Sequence, residues 1–285
     1  MSHYDPNAQA YGGYGQGYGY GQPSAVQQAQ IDQGLRSYMV GVYNYMMIGL
    51  AITGLAALGI YMLSVTGDAN LAHRTARGAM AIRGGQYLTP FGAFLFTSWF
   101  KFVVMLAPLG VVMLLSFRAD RLSAPAAQMT FWVYAALVGV SMTTILLVYA
   151  HTSVARVFFI TAASFGALSL WGYTTKRDLS GMGTFLMMGL FGLIIASLVN
   201  IGIAAFTGTP STMLQWIISV VGVLVFAGLT AYDTQNIKNE YIYSLAYAND
   251  GSIVQKAAIF GALQLYMDFV GMFQFLMSLL GSRDE

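Results

Sequence analysis

LSGMGTFLMMGLFGLIIASLVNIGIAAFTGTPSTMLQWIISVVGVLVFAGLTAY (Leu179–Tyr232) contains no Asp, Glu, Lys, Arg or His. About 20 apolar residues suffice to cross a bilayer as a helix, so this run is too long for one crossing. It breaks at Thr207-Gly-Thr-Pro-Ser-Thr212, where glycine and proline end one helix and start another. Two spans follow, near Gly183–Phe206 and Met213–Asp233. The same texture recurs outward in both directions, at Tyr38–Ser64, Ser98–Phe117, Met129–Tyr149, Val157–Thr174 and Ala257–Leu280. The expected fold is therefore an all-α polytopic membrane protein with seven transmembrane helices. Lys101 lies close enough to the end of the second span for its stem to reach the interface. Pro108 should kink that span. Tyr87, Phe91, Phe94, Phe96 and Trp99 precede it as an interfacial aromatic segment.

Composition agrees. Of 285 residues, 57% are hydrophobic and 8% charged, against roughly a quarter charged in a soluble domain; mean hydropathy is +0.62. This excludes an ordinary soluble enzyme. A formal net charge of +2 is too small for a nucleic-acid partner. The chain has no cysteine, so thiol chemistry, disulfides and thiolate metal sites are excluded. No Gly-rich phosphate loop or His pair sits on a span. His3, His73 and His151 fall in tails or loops, and Gly139-Val-Ser141 has no intramembrane histidine to serve as its base. The reading is not an enzyme, and no cofactor is expected.

Tyr11–Gln22 reads YGGYGQGYGYGQ, a low-complexity tract unable to bury enough surface to offset its ordering entropy. Residues 1–34 are expected to be a disordered tail and 35–282 the membrane domain. The tail lacks the basic and apolar regions of a signal peptide. With the N-terminus in the cytoplasm, Arg36, Arg118, Arg121, Lys176, Arg177, Lys238 and Lys256 lie inside, and Arg74, Arg77, Arg83, Arg156 and Arg283 outside. That bias favours an N-terminus inside and a C-terminus outside.

Two acidic residues lack easy access to water. Asp268 lies mid-way along the seventh span and Asp233 at the end of the sixth. A charge at the bilayer centre costs at least ~2.5–3.5 kcal/mol, so such residues face the bundle interior and have partners. Gln264, Asp268, Gly271, Gln274 and Ser278 share one helical sector, as do Ser219, Gly222, Phe226, Thr230 and Asp233. The short connection makes the two helices antiparallel neighbours. If the stripes meet, the carboxyl groups share a proton, because adjacent like charges do not both ionise cheaply. The plainer alternative leaves Asp233 in the headgroup region and Asp268 as a hydrogen-bonded interior group. Asn200 reads as interhelical glue. Gly189 and Gly192 are the better candidates for a close-packed face, Gly49, Gly54 and Gly59 being spaced by five.

Four stretches carry a family resemblance: Leu170-Trp-Gly-Tyr-Thr-Thr-Lys-Arg-Asp-Leu-Ser180, Leu193-Ile-Ile-Ala-Ser-Leu-Val-Asn-Ile201, Ala231-Tyr-Asp-Thr-Gln-Asn-Ile-Lys238 and Ala262-Leu-Gln-Leu-Tyr-Met-Asp-Phe-Val270. From about Ser37 to Leu280 the chain resembles the bacterial branch of the Bax inhibitor-1 family, the transmembrane BAX-inhibitor-motif proteins. The resemblance implies a seven-helix bundle with the last helix central. It implies a pH-sensing dyad at Asp233 and Asp268, latched by an arginine for which Arg118 is the matching candidate. A glutamate found within the second helix of some members is absent here, where that region reads Met105-Leu-Ala-Pro-Leu109.

The leading functional expectation is a pH-sensitive cation leak for Ca²⁺, a hard cation that takes oxygen ligands. Asp233 and Asp268 would supply them, with Asn200, Thr230 and Gln264 as candidate pore-lining residues. The partners are then the lipid bilayer, Ca²⁺ and protons. The absence of an acidic ring or repeated filter suits a low flux. The alternative is a regulatory protein that modulates a membrane-anchored AAA protease or a stress or cell-death response, as the resemblance also implies, with the tail as docking element. A proton-coupled transporter ranks third, for want of inverted repeats. The short loops and missing cysteines suit a bacterial inner membrane.

Overall fold

The structure, a computed structural model, describes residues 25–75, 78–82, 85–118, 121–247 and 250–282. The Tyr/Gly-rich tract lies outside the described residues, as do Arg77, Arg83 and Arg283. Among the described residues eight α-helices follow in order: α1 (Ala25–Ser64), α2 (Pro90–Phe96), α3 (Phe100–Arg118), α4 (Ala124–Val148), α5 (His151–Thr174), α6 (Ser180–Thr207), α7 (Thr212–Tyr243) and α8 (Gly251–Leu280). All but α2 and α3 are individually long and apolar enough to cross a membrane. The pair α2 and α3 passes as one apolar unit bent by 61°.

Local chemistry sets the ends. Gly208 ends α6 at φ +83°, a left-handed conformation that glycine adopts without strain. Ser211 then caps α7, its side chain accepting from the Leu214 amide at 3.3 Å. Thr89 caps α2 with Pro90 in its first turn. Asp250 caps α8, accepting from the Ser252 amide at 2.8 Å. Between α1 and α2, two short antiparallel ladders pair Val65–Thr66 (β1) with Tyr87–Leu88 (β4), and Arg74–Thr75 (β2) with Gly78–Ala79 (β3).

Two boundaries differ from the sequence expectation. Residues 25–34, assigned to the disordered tail, belong to α1. Ala25–Ile31 is rich in Ala and Gln, good helix formers, and Leu35, Tyr38 and Met39 anchor the helix in the core. The sixth span runs on to Tyr243, so Asp233 lies within a helix rather than at its end. At 1.5 Å per residue α7 is about 48 Å long, more than the ~30 Å hydrocarbon thickness.

The last helix is the centre of the bundle. In its most apolar window 61% of residues are buried, against 17–39% in the other long helices. It packs on α1, α4, α5 and α7. Tyr266, Leu265, Ala262 and Ile259 on it are essentially inaccessible. Elsewhere the surface is apolar, as lipid requires: Phe185, Phe191, Leu198 and Ile201 on α6 are all exposed.

Helix α6 packs on α7, and α3 on α4 and α2, so both sit at the periphery. Helices α1 and α4 run parallel: Gly49 meets Phe131, Thr53 bonds to the Ala135 carbonyl, and Thr143 to that of Ala57. The chain must return between them, and α3 is the element that does so.

Of the two glycines expected at a close-packed face, Gly189 is tight against Val225 of α7, where a Cβ would come within 2.9 Å, whereas Gly192 has open space; Gly49 is tight as well, against Phe131 and Tyr266. Gly172 of α5 abuts the Ala231 backbone of α7, and a Cβ there would overlap backbone atoms. Gly172→Ala is expected to push α5 from α7 and destabilise by about 1–3 kcal/mol, in the overpacking range. Thermal unfolding in detergent measures this; an unchanged melting temperature would show that the contact relaxes freely.

Candidate functional site at the α7–α8 seam

Helices α7 and α8 are antiparallel neighbours joined by a short turn containing a 3₁₀ segment, Leu245–Tyr247. Their stripes meet at two levels. At one, the Ser219 hydroxyl donates to the Ser278 Oγ at 2.8 Å. At the other, the carboxyl groups of Asp233 and Asp268 lie against each other, and the Gln264 side chain joins Asp233. Both aspartates are 4% exposed, so two charges there would be poorly solvated. Two carboxyl groups can hydrogen bond to each other only if at least one is protonated. The Asp268 Oδ2 atom has no hydrogen-bond partner.

These groups face a cavity of about 1070 Å³ between α3, α4, α6, α7 and α8. One wall is polar: Gln215, Asp233 and Asn236 from α7, and Gln264, Asp268, Gln274 and Ser278 from α8. The opposite wall is apolar, with Met105, Pro108, Leu109 and Val112 from α3 and Met187 and Leu190 from α6. The residues where a family glutamate is missing thus contribute greasy surface here. From Gln215 to Asp233 the lining extends about 27 Å along α7, close to the thickness of the hydrocarbon core, with Phe226 and Leu229 between those two polar ends. The other titratable groups on the lining are Tyr134, Tyr149 and Tyr232; no Lys, Arg or His is among the described lining residues.

The structure separates the other candidate residues. Gln264 joins the dyad on the cavity wall. Thr230 is fully buried and donates to the Phe226 carbonyl of its own helix at 2.8 Å, off the lining. Asn200 is also off the lining. Its Nδ2 donates to Gln215 Oε1 at 3.1 Å, and its Oδ1 accepts from the Ser211 amide at 2.9 Å. Asn200 thus ties α6 to the start of α7, the interhelical bonding expected of it, and holds Gln215 beside the far end of the cavity. Arg118 is exposed at the C-terminal end of α3, and among the described residues no ion pair joins it to either aspartate. No group of three or more His, Cys, Asp or Glu suited to a metal occurs among the described residues.

Sequence reasoning passed over the residues that position Asp233. Thr234 hydrogen bonds to Ser169 Oγ at 2.9 Å, and Ser169 to the Tyr43 hydroxyl at 2.6 Å, so one chain of hydroxyls links α7, α5 and α1. Gln235 is buried; its Oε1 accepts from the Leu179 amide and its Nε2 donates to the Arg177 carbonyl, both at 2.8 Å. Lys238 donates to the Tyr173 carbonyl at 2.8 Å. The run of polar residues Asp233-Thr-Gln-Asn236, inside a helix, was the available signal: each costs free energy to bury unless it is bonded. Gln235→Leu should leave an amide and a carbonyl unpaired and destabilise by about 1–3 kcal/mol for each such group. Measured melting should fall, and proteolysis of the α5–α6 loop should quicken; a neutral result would mean the loop rebonds to water.

Asp178 in the α5–α6 loop is held below the usual carboxylate range by hydrogen bonds from Ser180. Asp250 is held down in the same way by Ser252. Both stay ionised near neutral pH, so neither contributes a proton-dependent response there.

The profile of a family described as "Inhibitor of apoptosis-promoting Bax1" matches residues 35–285. The chain is similar to the inner membrane protein YbhL of Escherichia coli K12, at 39% identity over 251 residues, covering 88% of this chain and 93% of that one. An uncharacterised protein of Rickettsia prowazekii is 41% identical over 254 residues, covering 89% and 93%. One from Caulobacter vibrioides is 38% identical over 272 residues, covering 95% and 99%.

Proposed function

Since the chain belongs to the Bax inhibitor-1 family of integral membrane proteins, we propose that it is a pH-sensitive, low-flux leak for Ca²⁺ in a bacterial inner membrane. The observation that carries this reading is the pair of touching buried carboxyl groups on the polar wall of a cavity nearly as long as a bilayer is thick. Ca²⁺ takes six to eight oxygen ligands. The dyad, Gln264 and Gln274 offer a few, with water completing the shell. A site with only two acids binds weakly and releases quickly, as permeation requires. The Asp268 Oδ2 is buried without a hydrogen-bond partner, so it keeps lone pairs for a cation that reaches the dyad.

The gate is α3. It packs on α4 and α2, carries Pro108 at its middle, and ends in Arg118 on the side where Gln235 pins the α5–α6 loop to α7. When both carboxyl groups are ionised, their paired charge draws the Arg118 guanidinium inward and closes that mouth. When the dyad carries a proton, the carboxyl groups bond to each other and Arg118 stays outside.

The decisive measurement is Ca²⁺ entry into dye-loaded proteoliposomes, compared with protein-free vesicles and with Asp268→Asn. At pH 6, where the proposed gate is open, wild-type entry should exceed both. Entry no faster than in protein-free vesicles would sink the leak and leave the regulator of a membrane-anchored AAA protease as the reading.

Seven crossings, with the N-terminus in the cytoplasm, complete the proposal. The parallel course of α1 and α4 supports counting α2 and α3 as one broken span. The end of the bundle bearing the α1 N-terminus then also carries Arg118, Arg121, Lys176, Arg177, Lys238 and Lys256, in line with positive-inside bias. Single cysteines at Thr209 and Asp178, both exposed loop positions, test this in a chain free of background thiols. An impermeant thiol reagent on intact cells should label the first and spare the second. The reverse pattern inverts the topology, and labelling of neither or both contradicts the crossing between them.

A further inference from the structure

Outside the polar cavity, a long apolar groove runs between α1 and α5, with α8 as its floor. The half nearer the α1 N-terminus measures about 860 Å³, and the half nearer the α1 C-terminus about 470 Å³. Leu50, Phe158 and Phe269 line both, so the halves are continuous. Helices α1 and α5 do not pack extensively against each other, and large apolar residues beside the groove, such as Met47 and Phe159, are exposed. In a membrane protein this groove opens on acyl chains.

We propose that the groove binds an anionic phospholipid, with its phosphate on Arg36 and an acyl chain lying between α1 and α5. Arg36 is the charged residue of the lining and stands at the rim of the larger half. It is exposed, and a planar guanidinium matches a phosphate with two parallel hydrogen bonds. The same end of the bundle carries Lys176, Arg177, Lys238 and Lys256, a field that gathers anionic headgroups. Below Arg36 the lining turns apolar, with Met39, Met46 and Phe165, which suits a chain and not a free anion. Room exists at both levels: a Cβ built on Gly166 in the larger half, or on Gly54 in the smaller, meets nothing within 4 Å. The proposal is independent of the leak reading, because the larger half of the groove, which holds Arg36, shares no lining residue with the polar cavity.

Full-length protein in detergent, titrated with dioleoylphosphatidylglycerol, dioleoylphosphatidylcholine or inorganic phosphate, provides the test. Native mass spectrometry reads bound lipid and thermal unfolding reads stabilisation. The phosphatidylglycerol should bind about fivefold more tightly than the phosphatidylcholine, as one basic side chain near a headgroup implies, and phosphate alone should not stabilise. Arg36→Gln should abolish that preference without lowering the melting temperature of the lipid-free protein. Gly166→Phe should weaken both lipids by filling the groove; Gly54→Phe tests the other half if the first variant does not fold. Equal affinity for the two lipids, a preference that survives Arg36→Gln, phosphate stabilising as well as lipid does, or undiminished binding after the groove is filled would each overturn the assignment.

Discussion

Ca²⁺ entry into proteoliposomes should rise as pH falls from about 8 to about 6, and the double variant Asp233→Asn, Asp268→Asn should show a flat profile across that range. The sign follows from the proposed gate. At the alkaline end both carboxyl groups are ionised, and two like charges in a buried site require a counter-cation. Arg118 is the group available at the end of α3, and its approach closes the mouth. Proton uptake removes that attraction and lets the dyad bond to itself, so acid favours the open arrangement. A gate linked to one proton changes its open-to-closed ratio by at most about tenfold per pH unit. A steeper rise would mean that both aspartates take up protons in the same transition. Single Asn variants should flatten the curve too, since each leaves a carboxyl group without its coupled partner. Arg118→Ala should lift entry at pH 8 towards the acidic level while leaving entry at pH 6 unchanged. A double Asn variant with the wild-type profile would remove the dyad from gating.

The largest loss of stability is expected at Tyr266. Its ring is fully buried at the centre of α8, set edge-on to Phe131 at 5.5 Å and Tyr134 at 5.7 Å between ring centroids. Its hydroxyl meets Thr53 Oγ1 of α1 at 2.6 Å, and Thr53 in turn bonds to the Ala135 carbonyl of α4 at 2.9 Å. One residue thus joins three helices. Tyr266→Ala should cost about 3–5 kcal/mol, the range for removing a buried aromatic ring. Tyr266→Phe keeps the ring and loses one bond, at about 0.5–1.5 kcal/mol, because Thr53 retains its carbonyl partners. The two variants should therefore separate widely in thermal unfolding and in the fraction surviving size exclusion after heating. Equal losses would assign the role to the hydroxyl and not to packing.

Much of this protein is written locally. Uncharged runs longer than a bilayer is thick, punctuated at Gly208 and Pro210, mark where helices stop and start, because hydrocarbon tolerates only a backbone that bonds to itself. Asp233 and Asp268 stand out on the same ground: a carboxyl group in that setting needs a partner. The α8 stripe from Gln264 to Ser278 was legible from helical period alone, and every member of it lines the cavity.

What periodicity does not contain is which faces meet. On α7, Ser219 and Gly222 turned out to contact α8 itself, while Gln215 and Asn236, outside the expected stripe, face the cavity. Thr230 faces inward and its hydroxyl shares the Phe226 carbonyl of its own helix, and Asn200 is tied to the start of α7 through the Ser211 amide. The close contact of Gly172 with Ala231, and the hold of Gln235 on the α5–α6 loop, join residues more than fifty positions apart. The peripheral seat of α3, which leaves the cavity open and Arg118 outside it, depends on the whole arrangement of α1, α4 and α8. A helix face states only that it is polar or small. The partner that satisfies it is chosen by the packing of all the helices at once, since each buried donor, acceptor and side-chain volume must be met somewhere in the bundle.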